Sequence, residues 1–175
     1  MSKAVLISIR PKWCELIANG IKTAEVRKSR PKLHTPFKCY IYCTTGGIKK
    51  MPRDYIVENF ERGKVIGEFV CDDVVHLLRF GGSVSPERYG VCLPDWSVAP
   101  ADKIFDDACL TRDAAEAYLG GREGWAWRIS GLSIYDQPRA LGDFTGLRVT
   151  RFGAEPVEIT RPPQSWRYVE ELSGG

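Results

Sequence analysis

Residues 19–32, NGIKTAEVRKSRPK, set one carboxylate, Glu25, among five cations: Lys22, Arg27, Lys28, Arg30 and Lys32. If residues 23–27 are extended, side chains alternate, so Thr23, Glu25 and Arg27 project to one side and Ala24 and Val26 to the other. Lys22, at the exit of a preceding helix, reaches the same surface. A carboxylate between a lysine and an arginine stays ionised and in turn orients their donors. Such a set can fix a nucleobase edge through Glu25 and a phosphate through Arg27. It can equally be a structural ion-pair cluster that closes one end of the fold.

A second carboxylate, Glu68, lies in VIGEFVC, among apolar residues on a strand expected to be central. An acid there is buried and raised in pKa unless a cation pairs with it, and Lys22 or Arg10 are the natural partners. A Lys22/Glu68 pair would give a base and an electrostatic stabiliser for attack by water or by Thr23 on an acyl group. On an edge strand Glu68 would simply face solvent. Ser8, Arg10, Lys12 and Trp13 crowd the first strand-to-helix junction, and helix starts bind anions such as phosphate. Trp13, Trp127 and Trp166 are candidates for base stacking or for packing. Asp113 and Glu116, three apart on a late helix, read as a solvated face.

The elements that must position these groups follow from pattern. AVLISI (4–9) is a nearly two-faced apolar run, hence a central strand. Pro11 suits a first helical turn, Trp13, Leu16 and Ile17 recur at helical spacing, and Gly20 is placed to end the helix. A short strand at 23–28 leads to a basic loop and then to the alternating strand PFKCYIYCT (36–44), with Phe37, Cys39, Ile41 and Cys43 on one face. RDYIVENFERG (53–63) has helical spacing. KVIGEFVCDDVVHLL (64–78) is the longest strand-like run, in which Gly67 marks a bulge or a close backbone approach. Residues 110–121 form a helix capped by Thr111 and stopped by Gly120-Gly121, and 124–136 a strand bent at Gly131. The tail, around a Pro-Pro turn, offers one more extended segment. Five or six strands with few short helices predict an α+β protein: a small mixed β-barrel with short flanking helices, as one domain over 1–175 with an irregular insertion at about 79–109.

Charge and composition narrow the function. The net charge of +3 conceals an asymmetry: residues 1–53 hold twelve Lys/Arg against Glu15 and Glu25, a balance of +10, which leaves −7 for the rest. A basic half interleaved with aromatics reads as the footprint of a surface that meets phosphate, the alternative being a solvated face with no partner. The longest apolar runs fall far short of the roughly 20 residues of a membrane-spanning helix, so a soluble cytoplasmic protein is expected. The six cysteines, 14, 39, 43, 71, 92 and 109, lie scattered in apolar segments and read as reduced thiols. With no C-x-x-C pair and two histidines, no metal or cofactor is expected.

Gly20, Lys22, Glu25 and Arg27 fulfil the G-x-K-x-x-E-x-R signature of the ASCH domain family, which this chain resembles over roughly residues 4–145. ISIRPKWCELIANG resembles the family's opening strand and helix, KVIGEF its central strand, and GWAWRISGLSIYDQPRALGDF its W-x-I-x-x-L segment with a proline and an acidic-Phe turn. RPPQSWRYVEEL is similar to the tail of phage-type members, which suggests a phage-like or bacterial setting. The resemblance implies a PUA-like β-barrel with an RNA-binding cleft beside the signature loop. Some small family members resemble amidohydrolases of N4-acylated cytidines that use a Lys, a Thr and a Glu; others have been linked to RNA cleavage. Here the position of that threonine holds Glu25, and Thr23 stands beside Lys22 instead.

Two expectations therefore enter the structure. The first is a binding module for RNA or a nucleotide-like ligand that uses Lys22, Glu25 and Arg27, with Ser8, Arg10, Lys12, Trp13, Lys28, Arg30 and Lys32 as further contacts. The second is an enzyme that uses Lys22 with Thr23 or Glu25 and Glu68. A Lys22 amine within reach of Glu68 would favour chemistry, and an open basic groove would favour binding.

Overall fold

The computed structural model describes residues 2–46, 62–82 and 85–172. In chain order these form β1 (Lys3–Ile9), α1 (Pro11–Ala18), β2 (Ala24–Arg27), β3 (Phe37–Cys43), β4 (Lys64–Cys71), β5 (Val74–Gly82), β6 (Ser85–Cys92) and β7 (Val98–Pro100). There follow α2 (Asp102–Asp107), α3 (Arg112–Leu119), β8 (Gly124–Arg128), β9 (Ser130–Arg139), a 3-10 turn (Leu141–Asp143), β10 (Thr145–Thr150), β11 (Gly153–Glu158) and β12 (Trp166–Glu170). Seven strands make one sheet in the order β11-β10-β12-β1-β3-β4-β9, and five make a second in the order β2-β8-β5-β6-β7. β1 runs parallel to β3 and antiparallel to β12, so the larger sheet is mixed. The expected makeup, mostly β with a few short helices, is what the chain adopts.

The period of two along each strand divides the core. Val5, Ile7, Ile9, Phe37, Cys39, Ile41 and Cys43 turn one face of the larger sheet toward Cys14 and Ile17 of α1 and toward the fully buried Trp127 of the smaller sheet. Ala4, Leu6, Tyr40 and Tyr42, with Val65 and Val169 beside them in register, turn the opposite face toward Phe144 and Ile159. α2 and α3 cover one face of the smaller sheet, where Ile104, Phe105, Ala115 and Leu119 pack on Ala24, Val26, Leu77 and Ala126. Cys39 and Cys43 are buried on the face expected of them, as small apolar groups.

α1 begins at Pro11, whose missing N–H costs nothing in a first turn. It ends where Gly20 adopts φ +69°, which folds the N–H groups of Ile21 and Lys22 back onto the Leu16 carbonyl at 2.9 and 3.0 Å. α3 has the expected cap: Thr111 Oγ1 accepts from the Ala114 N–H, and Gly120 closes the helix in the left-handed region.

Several expectations change. The run 64–78 is two strands, β4 and β5, separated at Asp72 and Asp73. There the Asp73 carbonyl accepts from the Arg128 N–H and the chain passes from the larger sheet to the smaller. The run 124–136 divides likewise into β8 and β9, with Gly131 at φ +52° just after the change of sheet. Asp72-Asp73, a pair that strands disfavour, stands at the first change, whereas the second falls at Ile129 inside an apolar-polar alternation. Residues 79–109, expected to be irregular, instead complete β5 and form β6, β7 and α2. The hairpin β10–β11 was not anticipated. The helix expected at 53–63 lies outside the described residues except for its last two positions. No described helix is long and apolar enough to cross a membrane.

Gly67 is the close approach that the sequence indicated. The β4–β9 register shifts on both sides of it, and a Cβ at this position would meet the Ser133 carbonyl oxygen at 2.5 Å and Ile134 Cα at 3.0 Å. Gly67→Ala is therefore expected to lower unfolding free energy by about 1–3 kcal/mol, the usual cost of overpacking, read as a fall in urea midpoint; an unchanged midpoint would mean that β4 and β9 separate freely there.

Candidate functional site

β2 is short and all four of its residues are buried. Its polar pair, Glu25 and Arg27, meets Lys22 as the turn after α1 delivers it. Lys22 Nζ stands 3.1 Å from Glu25 Oε2, and Arg27 Nη2 stands 2.8 Å from Glu25 Oε1. Lys22 is 2% exposed and Glu25 and Arg27 7% each, so these charges cannot rely on water. Each finds further protein partners instead. Lys22 Nζ donates to the Ala108 carbonyl at 2.7 Å and lies 5.0 Å from the Trp13 ring centroid. Arg27 Nη2 donates to the Ser8 carbonyl at 2.8 Å and Nη1 to Ser165 Oγ at 3.3 Å. The guanidinium Nε donates to nothing among the described residues. Burial pushes the Glu25 carboxyl up, but the charges and hydrogen bonds of Arg27 and Lys22 outweigh it and hold the group below the ordinary glutamate range.

This network floors a cleft of about 770 Å³. Trp13 and Arg10 of the α1 start form one side; Leu110, Ala114 and Tyr118, next to or within α3, form another; Pro162, Pro163, Gln164 and Ser165 form a third. The last segment is laced to β1: Ser8 Oγ donates to the Pro163 carbonyl at 2.6 Å and the Ser8 N–H to the Ser165 carbonyl at 2.9 Å. Among the described residues its charges are Arg10, Lys22 and Arg27 against Glu25, so this lining is net positive.

Of the residues singled out from sequence, Ser8, Arg10, Trp13, Lys22, Glu25 and Arg27 line this cleft together. Lys12, Lys28, Arg30 and Lys32 are exposed on its flanks. Three of those cations sit on rings: Lys12 4.9 Å from the Trp13 centroid, Lys28 5.3 Å from Tyr118 and Arg30 5.2 Å from Trp125. Thr23 does not join them. It is exposed beyond the start of β2, with its N–H donating to the Asp107 carbonyl and its carbonyl accepting from Ile129.

Glu68 is also elsewhere, and the expected pairing with Lys22 or Arg10 is corrected. It stands opposite Tyr40 in the β3–β4 register, on the face of the larger sheet turned away from α1. Its partners are Lys38, at 3.0 Å, and the Tyr135 hydroxyl. Burial raises its carboxyl, yet these bonds and the Lys38 charge bring it below the ordinary range, so it is an ionised carboxylate and not the raised acid expected of an unpaired site. Trp127 is fully buried against Phe37 and Trp166, as a packing residue. Trp166 is partly buried and donates to Ser29 Oγ.

Sequence reasoning missed Tyr118, Leu110 and the Pro162–Ser165 wall. A Pro-Pro turn between two extended segments signals a fixed bend, but nothing local shows that it returns to β1. Tyr118 was legible only as one polar-face residue of an amphipathic helix.

With this geometry in hand, the comparisons with known proteins define the class. Residues 7–93 match the ASCH domain family model, and over these residues the chain belongs to the ASCH domain family. Among solved structures, the ASCH protein of Zymomonas mobilis is similar at 18% identity and a TM-score of 0.52, across 96% of this chain and 88% of that one. A tyrosine-to-phenylalanine variant of the same protein is similar at 17% identity and a TM-score of 0.51, over 97% and 92% of the two chains. At such identities the likeness is one of fold. A comparison with curated proteins finds no match.

Glu25 balances two buried cations, so Glu25→Gln is expected to cost about 3–5 kcal/mol at neutral pH by leaving them unpaired, measured by urea unfolding. Because its folded pKa is depressed, the stabilisation is fully present above the unfolded value and is lost as pH falls through the lower folded one. The gap between wild type and variant should accordingly shrink on acidification below about pH 4.5. Equal midpoints at pH 7 would contradict the role given to this carboxylate.

Proposed function

We propose that the cleft is a recognition site for RNA or a nucleotide-like ligand within a single ASCH domain, the two sheets together making the PUA-like barrel. The observation that carries this reading is a positive cleft of about 770 Å³, inside the size range of small-ligand sites, with Trp13 and Tyr118 on its walls and Arg10 at its rim. A splayed or modified base suits aromatic walls better than a regular duplex does. Arg10 and the free donor capacity of Arg27 meet phosphate or base oxygens; Lys12, Lys28, Arg30 and Lys32 contact phosphates further along the strand. Lys22 and Glu25 hold the floor in shape.

The alternative is an amidohydrolase of N4-acylated cytidines, or a ribonuclease, working through Lys22 with Thr23 or Glu25 and Glu68. It has weaker support. Lys22 Nζ is committed to Glu25 and to the Ala108 carbonyl, while Glu68 is committed to Lys38 and Tyr135.

Binding of labelled single-stranded RNA, followed by fluorescence anisotropy, should weaken linearly in log Kd with log salt. Arg10→Ala is expected to flatten that slope by about 0.7, the share of one phosphate contact. Tyr118→Ala should cost about 1–3 kcal/mol, the worth of one stacked base. Salt-independent binding, or wild-type affinity in both variants, would defeat the reading. Turnover of an N4-acylated cytidine that Lys22→Ala abolishes would establish the alternative.

A further inference from the structure

One face of the smaller sheet lies under α2 and α3; its other face does not. Residues directly opposite in an antiparallel pair point to the same side, so the β2–β8 and β5–β8 registers place Arg27, Trp125 and His76 on one surface. β5–β6 continues it, with Phe80 opposite Arg88 and Leu78 opposite Gly90, and β6–β7 adds Cys92 opposite Val98. Near Trp127 this face is core. Toward β7 it opens: Phe80, Arg88 and Val98 are exposed. Phe80 and Val98 close over Gly90, where a Cβ would come within 2.9 and 2.8 Å of them.

Trp96, in the turn that joins β6 to β7, is 85% exposed. Its position is built and not slack. The turn is closed by the Leu93 N–H to the Ser97 carbonyl at 2.8 Å, the Trp96 N–H to the Leu93 carbonyl at 2.9 Å, and the Ser97 N–H to Asp95 Oδ1 at 3.0 Å. The Trp96 backbone is held at φ +67°, a conformation that a bulky residue adopts at a cost. At the cleft end of the face, His76 stacks on Trp125 with ring centroids 4.0 Å apart and planes 7° apart, and Arg30 reaches the same indole.

We propose that this open face is a second, stacking subsite that carries the continuation of a single-stranded RNA beyond the cleft. The inference rests on the recognition reading of the cleft. Two observations select this occupant. The face adjoins the cleft floor in the sheet, since Arg27 of the floor stands opposite Trp125. It also carries two guanidinium groups, Arg30 and Arg88, among its rings, with the Glu123 carboxylate 2.9 Å from His76 at its edge; rings with guanidinium groups bind bases by their faces and phosphates by charge. From His76 to Phe80 is about 13 Å along β5, and from β5 to β7 about 10 Å across strands. A ligand confined to the cleft does not reach Trp96, whereas a strand that leaves the cleft along this face does.

The test compares single-stranded RNAs of about 3 and about 10 nucleotides, lengths on either side of the smallest stacking-platform sites. The proteins are wild type, Trp96→Asn, Arg88→Ala and Tyr118→Ala, and affinity is read by anisotropy alongside sedimentation velocity. Asparagine accepts the left-handed backbone at position 96, so that variant isolates the indole. The expected result is that Trp96→Asn and Arg88→Ala weaken the longer RNA by fivefold or more and leave the shorter one unchanged, while Tyr118→Ala weakens both. Indole emission should respond to the longer RNA and lose that response in Trp96→Asn. If both face variants bind the longer RNA like wild type while Tyr118→Ala weakens it, the second subsite is overturned and the cleft reading stands. Failure of either RNA to bind wild type overturns both. Self-association that Trp96→Asn abolishes, with RNA affinity unaltered, would make the face a contact between copies and overturn the proposal.

Discussion

The Lys22–Glu25–Arg27 network is the constraint from which the site follows. Three charges taken out of water are tolerable only when their lone pairs and donors are met inside the protein. The chain meets them with groups from five places: the turn after α1, β2, the carbonyl at the end of α2, the last polar residue of β1, and Ser165 ahead of β12. Segments remote in sequence are thus fastened to one point. Trp13 and the Pro-Pro wall surround that point because Lys22 lies over the Trp13 ring and Arg27 bonds Ser165 at the end of the wall, and Tyr118 joins them from α3. The signature residues act first as architecture, and the cleft is the concavity their architecture leaves.

Strand parity explains why the second carboxylate stays apart. β3 and β4 pair so that Lys38, Tyr40 and Glu68 share a face, and α1 with Lys22 belongs to the other. No side-chain rotation carries Glu68 through a sheet. The residue still keeps its charge, because Lys38 lies beside it on that same face. The Lys22–Glu25 and Lys38–Glu68 pairs therefore sit in different surroundings: the first in a cleft with almost no water contact, the second partly open with a tyrosine hydroxyl as its third member.

The sequence was legible wherever local chemistry decides the structure. Pro11 and Gly20 bounded α1, Thr111 and Gly120 bounded α3, Gly67 marked a backbone contact, and the alternation at 23–27 aimed Glu25 and Arg27 together. It was illegible where long-range pairing decides. The run 64–78 carries a local mark in Asp72-Asp73 but not the fact that the chain changes sheet there, and in 124–136 the alternation passes through Ile129 with no mark at all. Glu68 was assigned to a central strand correctly and to a partner wrongly, because its face depends on which strand lies beside it. Tyr118 and Ser165 reach the cleft through packing between distant elements, and no local pattern encodes that meeting.

β1 stands between β3 and β12, and its register joins Lys3 to Glu170. During synthesis the strand at the middle of the larger sheet must therefore wait, with one edge unpaired, until β12 has been made. Contacts of such sequence separation are the slow ones in folding. The wall at Pro162–Ser165 belongs to the same late segment, so the cleft is incomplete until that segment has joined β1. A nascent chain carries the complete G-x-K-x-x-E-x-R loop long before the wall beside it exists. The floor of the cleft is thus made early, and the concavity takes shape only once β12 has joined β1.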